Sequence, residues 1–139
     1  MKKVIIFGAT GGLGNSISKK LTDYDIINLG SADLDITNYD QVNEFFKTNP
    51  ADIVINFAGV NFDKFAHKLT PDNKDIINKQ IDVNIKGTIN IVTSCLPQMR
   101  EKNYGRMPFL LSFHCLKFLS LKSFEFQSAM NVNLVRLPR

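Results

Sequence analysis

A glycine-rich turn near the start of the chain stands between a run typical of a buried strand and a run typical of a helix. The turn reads Phe7-Gly-Ala-Thr-Gly-Gly-Leu-Gly14 and follows the β-branched run Lys3–Phe7. Where side chains are missing, the backbone can turn sharply and approach a pyrophosphate, and the next helix offers it unpaired N–H groups. The sequence therefore predicts a phosphate-binding strand–turn–helix unit, with a plain tight turn as the alternative.

The apolar pattern beyond this turn alternates between further strands and helices. Strands are predicted at Asp25–Leu29 and 52–58, with a very short one at 34–36. Helices are predicted over 14–21, over 39–47 with Thr37 or Asn38 as the cap, and over 72–99. The last helix carries one apolar stripe, formed by Ile77, Ile81, Ile85, Ile89, Val92 and Leu96. This order predicts an α/β fold with a Rossmann-like, doubly wound parallel sheet.

Charge and aromatic content divide the 139 residues unevenly. Residues 1–104 carry 12 basic and 12 acidic side chains, whereas residues 105–139 carry five basic and one acidic and hold five of the eleven phenylalanines. Pro108 stands where a further buried strand should begin, although proline cannot donate to a ladder. We therefore expect a truncated Rossmann region over 1–106 and an unmatched tail over 107–139, for which a shifted reading frame is one hypothesis.

Several classes of protein and site are not indicated. No apolar run approaches the ~20 residues that are needed to cross a bilayer. The sequence also contains no motif by which nucleic-acid-binding proteins recognise bases. Cys95 and Cys115 cannot form a disulfide framework, and only four apolar residues follow the basic start. His67 and His114 have no partners at metal-ligand spacing. We expect a cytoplasmic protein without a metal site, a nucleic-acid partner or a membrane partner.

Taken together, these motifs resemble the N-terminal part of a short-chain dehydrogenase/reductase, a family of single-domain Rossmann oxidoreductases that use NAD or NADP. Gly8, Gly12 and Gly14 are similar to the family's Gly-x-x-x-Gly-x-Gly turn. Further similar segments are Asp35-Ile36, Asn56-Phe57-Ala58-Gly59, Asp82-Val-Asn-Ile-Lys-Gly87, and Pro97-Gln-Met99 followed by Tyr104-Gly-Arg106. The resemblance covers residues 1–106.

The resemblance implies a cofactor site and an alcohol–carbonyl oxidoreductase. The implied cofactor-binding residues are Gly8, Thr10, Gly11, Gly12, Leu13, Gly14, Asp35, Ile36, Asn56, Ala58 and Gly59. Asn84 is similar to an asparagine that helps hold a proton-relay water, with a structural tie to a neighbouring strand as its alternative role, and Ser112 falls where the family's serine would stand. The family's Tyr-x-x-x-Lys is absent, because Asn28, Asn43 and Pro108 follow the three tyrosines by four residues. We therefore expect no turnover by the chain as written.

Alternatives remain open on function and cofactor. Gly8, Gly11 and Gly14 also fit the Gly-x-x-Gly-x-x-Gly spacing of relatives that act on nucleotide sugars, the reductases and epimerases. A non-catalytic dinucleotide-binding fragment is a further possibility. Asp33 favours NAD over NADP, because an acidic group near the end of the second strand can bond the ribose hydroxyls. The substrate is a small molecule of unknown identity, and the resemblance implies a homo-oligomer.

Overall fold

The computed structural model describes residues 1–61 and 70–109, and these form a parallel sheet with helices on both faces. The strands are β1 (Lys3–Phe7), β2 (Asp25–Leu29) and β3 (Ile53–Asn56). The helices are α1 (Gly12–Ser18), α2 (Tyr39–Thr48), α3 (Lys74–Ile81) and α4 (Thr88–Glu101), with a 3₁₀ turn at Pro71–Asn73 and a π-helical segment at Asp82–Gly87 between α3 and α4. No helix among these residues is long and apolar enough to cross a membrane.

Strand β1 lies in the middle of the sheet, in the order β2-β1-β3, and both of its neighbours run parallel to it. Its alternating side chains enter two separate apolar clusters. Ile5 and Phe7 pack with α2 and α4 on one face, while Val4 and Ile6 pack on the other face. A strand buried on both faces explains why the run contains no polar residue after Lys3. The predicted parallel, Rossmann-like sheet is confirmed.

The helix after the second strand begins as its sequence suggests. The Asn38 side chain caps α2 by accepting a hydrogen bond from the Gln41 N–H at 3.2 Å. The inward face of α2 buries Val42 and Phe46, and the Phe46 ring lies 6.0 Å from that of Phe7. This contact fixes α2 against the centre of the sheet.

Residues 106–109 extend the sheet beyond β3 despite the proline. The Val54 and Asn56 N–H groups donate to the carbonyls of Arg106 and Pro108, at 2.9 and 3.2 Å. Pro108 has no N–H to donate in return, and the pairing consists of isolated bridges rather than a ladder. The proline therefore interrupts this pairing without preventing it.

Two predicted elements differ from the structure. Residues 34–36 form no strand, because they lie in a turn that begins directly after β2 and are held by side-chain contacts instead of ladder bonds. The helix predicted over 72–99 is divided by the π segment. Moreover, the isoleucine row of its stripe faces outward, with Ile85 57% exposed, and the buried face of α4 contains Ile91, Cys95 and Met99. Cys95 is therefore a core residue and is fully buried.

Candidate dinucleotide site

The glycine turn is fixed by two of its glycines. Gly8 has a φ of +73°, and a Cβ placed on it would lie 2.6 Å from the backbone nitrogen of Ala58. A Cβ on Gly14 would overlap the carbonyl of Gly8, so α1 and the turn are in backbone contact. Both positions exclude any larger residue. The turn thereby brings the end of β1 directly against the segment that follows β3.

The other two glycines of the turn are held less tightly. A Cβ on Gly11 would come within 3.3 Å of the Gly8 carbonyl oxygen, and one on Gly12 would meet nothing within 4 Å. Of these two glycines, only Gly11 lines the neighbouring cavity. Because Gly8 and Gly14 belong to both glycine spacings considered above, the steric requirement does not separate the two patterns.

A cavity of about 480 Å³ opens where the carboxyl ends of β1, β2 and β3 meet. Predicted site residues that line it are Gly8, Thr10, Gly11, Asp35, Ile36, Ala58 and Gly59. The other four predicted residues, Gly12, Leu13, Gly14 and Asn56, do not line the cavity. Residues that sequence reasoning did not assign to a site include Gly30, Ser31, Leu34, Val60, Lys79 and Val83. The signal for Gly30 and Ser31 was their position directly after β2.

One wall of the cavity is the first loop, residues 30–38, which joins β2 to α2. The Asp33 carboxylate accepts a hydrogen bond from the Gly30 N–H at 2.7 Å, so the carboxylate is held beside the end of β2. Asp35 Oδ1 accepts two hydrogen bonds from Thr37, one from its N–H at 2.9 Å and one from its hydroxyl at 2.8 Å. These bonds give the loop a defined shape although it contains no strand.

The opposite wall is the second loop, residues 57–61, and two asparagines hold it. Asn56, only 2% exposed, accepts a hydrogen bond from the Ala58 N–H at 2.9 Å and donates to the Thr88 hydroxyl at 3.1 Å. Asn84 in the π segment accepts from the Val60 N–H and donates to the Val60 carbonyl, both at 2.8 Å. The amide of Asn84 therefore ties this loop to the helix.

The structure leaves the proposed chemical roles of two residues as predictions. The Asn84 carbonyl accepts a hydrogen bond from the Thr88 hydroxyl at 2.9 Å, and its side chain is engaged with Val60. Asn84 therefore ties the loop after β3, whereas its alternative role had predicted a tie to a strand, and the relay role stays a prediction. Ser112 lies outside the described residues, as do His67 and His114. Within 1–61 and 70–109, no group of three or more metal-ligating side chains occurs.

Known proteins resemble this chain in sequence and in fold. Residues 27–123 match the short chain dehydrogenase family, more than half of the chain. The chain belongs to the short chain dehydrogenase family. The matched region extends past residue 106, where the motif resemblance ends, and the division into 1–106 and 107–139 stays a prediction.

A curated relative supports this family assignment. An uncharacterised oxidoreductase of Staphylococcus aureus strain MW2 is 35% identical over 96 residues, which cover 66% of this chain and 37% of the relative. A similar oxidoreductase of Staphylococcus epidermidis is covered over 60% of its length at 26% identity. The chain thus spans about a third to three fifths of these relatives.

Solved structures share the dehydrogenase fold. A dTDP-4-dehydrorhamnose reductase from Clostridium acetobutylicum superposes with a TM-score of 0.59 at 27% identity, over 76% of this chain and 34% of that protein. The protein ElxO, solved with NADP bound, superposes with a TM-score of 0.67 at 22% identity, over 94% of this chain and 61% of ElxO. The fold of this short chain dehydrogenase is therefore that of known Rossmann oxidoreductases.

Proposed function

We propose that this short chain dehydrogenase binds a nicotinamide dinucleotide in the cavity at the carboxyl ends of its strands. The observation that carries the proposal is the turn at Gly8, where positive φ and backbone contact with Ala58 leave a bare backbone at the cavity wall. A pyrophosphate requires such an approach of unobstructed backbone. The cavity volume of about 480 Å³ falls within the usual range of ligand pockets.

The residues of the cavity match the chemistry of such a cofactor. Gly8 and Gly11 would hold the pyrophosphate, Asp35 and Ile36 would hold the adenine, and the segment from Asn56 to Gly59 would support the ribose side. When bound, the nicotinamide would accept or supply a hydride during interconversion of an alcohol and a carbonyl compound. The chain's own contribution would be to bind and orient the cofactor and to exclude water from it.

Asp33 supports a preference for NAD over NADP. Its carboxylate stands beside Gly30, the first residue after β2, and a Cβ on Gly30 would come 2.7 Å from Cγ2 of Thr10 in the glycine turn. A carboxylate at this end of the second strand can accept hydrogen bonds from ribose hydroxyls. It would repel the phosphate that NADP carries on the same ribose.

Turnover by the chain itself is not part of this proposal. The family's tyrosine and lysine would supply and exchange the proton, and no Tyr-x-x-x-Lys occurs in the 139 residues. Asn84 and Ser112 alone provide no group that titrates near neutrality. We therefore propose that the chain as written binds the cofactor without transferring a hydride.

The proposal is tested by titrating the purified chain with NAD⁺ and with NADP⁺ in a calorimeter. We expect saturable 1:1 binding, about tenfold tighter for NAD⁺, since one added repulsion of this kind is worth about 1.4 kcal/mol. Asp33→Asn should narrow the difference between the two affinities. Asp40→Asn, which removes an exposed carboxylate on α2, should leave it unchanged.

Two results would decide against parts of the proposal. Absence of binding for both dinucleotides would refute the cofactor site. If Asp33→Asn and Asp40→Asn reduce the difference between the NAD⁺ and NADP⁺ affinities equally, the selective role of Asp33 is refuted. Reduction of NAD⁺ in the presence of a panel of alcohols, followed by absorbance of the reduced nicotinamide, would overturn the assignment of a non-catalytic chain.

A second candidate function is favoured by the first loop. Only five residues separate the end of β2 from Asp35, and no helix intervenes. The Clostridium acetobutylicum reductase that shares the fold acts, by its name, on dTDP-4-dehydrorhamnose. A nucleotide sugar is therefore the alternative substrate class of the whole protein. Binding of dTDP that does not compete with NAD⁺ would favour this alternative over a simple alcohol.

A second copy of the chain is the partner proposed for the exposed isoleucine stripe, defined as Ile77, Ile81, Ile85 and Ile89. Their exposed fractions run from 39% to 57%, and their spacing of four residues forms one ridge along α3, the π segment and α4. Contiguous apolar surface of this kind is typical of an interface.

We expect Ile85→Asp to reduce the sedimentation coefficient of the chain from that of an oligomer to that of a monomer. In the oligomer the new carboxylate at the centre of the stripe would be buried between two copies without a hydrogen-bonding or ion-pair partner. Gln41→Asp adds the same charge at an exposed position of α2 and should leave the oligomer intact. Sedimentation velocity measures both variants. A wild-type chain that sediments as a monomer would contradict this interface.

A further inference from the structure

Asn90 is a buried polar side chain on α4 that bonds a distant part of the chain. It is 7% exposed, and its Nδ2 donates to the carbonyl of Ile36 at 2.9 Å and to the carbonyl of Thr37 at 3.2 Å. Both acceptors lie in the first loop, more than fifty residues earlier in the sequence. One amide group therefore holds two successive peptide units of a segment that forms no strand.

The preceding turn of the same helical region supports the same loop by shape. Gly87, the last residue of the π segment, is buried under Ile36, and a Cβ on Gly87 would lie 2.6 Å from Cδ1 of Ile36. Ile36 itself is 6% exposed. The notch at Gly87 thus receives the Ile36 side chain, while the double hydrogen bond from Asn90 holds the two peptide units that follow it.

The held segment presents Asp35 to the cavity. Asp35 precedes Ile36 directly, and its carboxylate is oriented by two hydrogen bonds from Thr37 to Oδ1. The Ile36 and Thr37 carbonyls, which Asn90 binds, belong to the same short turn. A change in the orientation of these peptide units would therefore displace the Asp35 carboxylate relative to the cavity.

We propose that Asn90 is a positioning residue that sets the Asp35 carboxylate for recognition of the adenine amino group. This inference rests on the proposed function, since it assumes that the cavity receives a dinucleotide. Asn90 acts through the first loop and is itself absent from the cavity lining. A residue with a merely structural role would lower stability without changing which base the site prefers.

The experiment compares NAD⁺ with its hypoxanthine analogue, in which a carbonyl oxygen replaces the 6-amino group that a carboxylate can accept from. We expect wild type to prefer NAD⁺ by at least about tenfold, the lower end of the usual effect of one hydrogen bond to a charged group. Asn90→Ala removes the donor, and alanine is the residue that best maintains the helix α4. This variant should reduce the ratio of the affinities for NAD⁺ and for the analogue to about twofold or less. Calorimetric titration measures the ratio, and thermal melting records stability separately.

Two variants complete the design. Asn90→Asp keeps the shape of the side chain but places a hydrogen-bond acceptor opposite the Ile36 and Thr37 carbonyls. It should therefore reduce the affinity ratio further than Asn90→Ala does. If Asn90→Asp does not fold, Asn90→Ala is the sole test. The control Thr93→Val removes a hydroxyl that bonds only the carbonyls of its own helix, and it should leave the ratio at the wild-type value.

The outcomes separate this inference from the proposed function. If wild type binds neither dinucleotide, the cavity assignment fails. If wild type binds NAD⁺ and prefers it, but Asn90→Ala lowers the melting temperature with an unchanged ratio, then Asn90 is a structural residue and the positioning role is overturned. Equal affinity of wild type for the two dinucleotides overturns the recognition by Asp35 on which the role depends.

Discussion

Gly8→Ala is expected to destabilise the chain by about 3 kcal/mol or more and to abolish dinucleotide binding. The substitution places a side chain at a φ of +73° and sets its Cβ 2.6 Å from the backbone of Phe57 and Ala58. A residue forced into a sparsely populated conformation costs about 1–3 kcal/mol, and overpacking costs about as much again. Because the neighbouring atoms are backbone, no side chain can move aside to relieve the contact.

Gly12→Ala is the matched control for this substitution. It adds the same methyl group to the same turn, at a position where the new Cβ meets nothing within 4 Å. We expect its free energy of unfolding to stay within about 1 kcal/mol of wild type, as for glycine against alanine at a helical position. Urea denaturation followed by circular dichroism measures both variants. Equal losses for the two would show that the turn is not constrained at Gly8.

Raising the pH above 9 is expected to destabilise the fold through Cys95. The thiol is fully buried on α4, and burial raises its pKa from 9.0 to about 12. The unfolded chain therefore releases this proton at a lower pH than the folded chain does. The stabilising difference is fully present below pH 9 and falls by about 1.4 kcal/mol per pH unit between pH 9 and 12, a loss of about 4 kcal/mol in all.

Since lysines and tyrosines titrate in the same range, the measured quantity is the difference between wild type and Cys95→Ala. Both proteins carry Cys115→Ser, so that Cys95 is the only thiol that titrates. At neutral pH the protein that retains Cys95 should be more stable than the one with Cys95→Ala. Alanine would leave a small cavity beside Met107, whose sulfur lies 3.3 Å from Cys95 Sγ. This advantage should shrink as the pH rises to 10.5. A difference that stays constant with pH would show that the thiol is not desolvated.

Runs of β-branched residues were sufficient to predict the three strands of the sheet. Lys3–Phe7 and Asp25–Leu29 have the predicted bounds, since each run ends at a glycine and is apolar along its whole buried length. Residues 34–36 have a similar local pattern but form a turn. Their conformation depends on Asn90 and Gly87, more than fifty residues away, and a local pattern contains no information about such contacts.

The outward orientation of the isoleucine stripe could not be read from its spacing. Residues at i and i+4 mark one face of a helix, but spacing does not tell whether that face meets the core or the solvent. Here Ile91, Cys95 and Met99 occupy the inward face of α4, while Ile81 and Ile85 are about half exposed. The π segment, which changes the helical phase between α3 and α4, has no recognisable signal in the sequence.

The glycine turn was the most predictable part of the site, and the side chains that hold its walls were the least. Gly8 and Gly11 stand in one local motif, so their place at the cavity follows from neighbours in sequence. Asn56 was named for its motif, but its bond to Thr88 crosses 32 residues. Asp33 was named for its place near the end of the second strand, but the hydrogen bond that its carboxylate accepts from the Gly30 N–H could not be predicted from the sequence.

The central position of β1 has a consequence for how the chain folds during synthesis. Strand β1 leaves the ribosome before both of its partners, residues 25–29 on one side and residues 53–56 on the other. The edge that pairs with residues 53–56 therefore stays open until more than fifty residues have emerged, whereas the other edge can pair once residues 25–29 are available, and each pairing closes a loop that contains a helix. Until it is paired, an apolar strand exposes the kind of surface that chaperones bind. The shorter loop closes at the lower entropic cost, so β2 is expected to pair before β3.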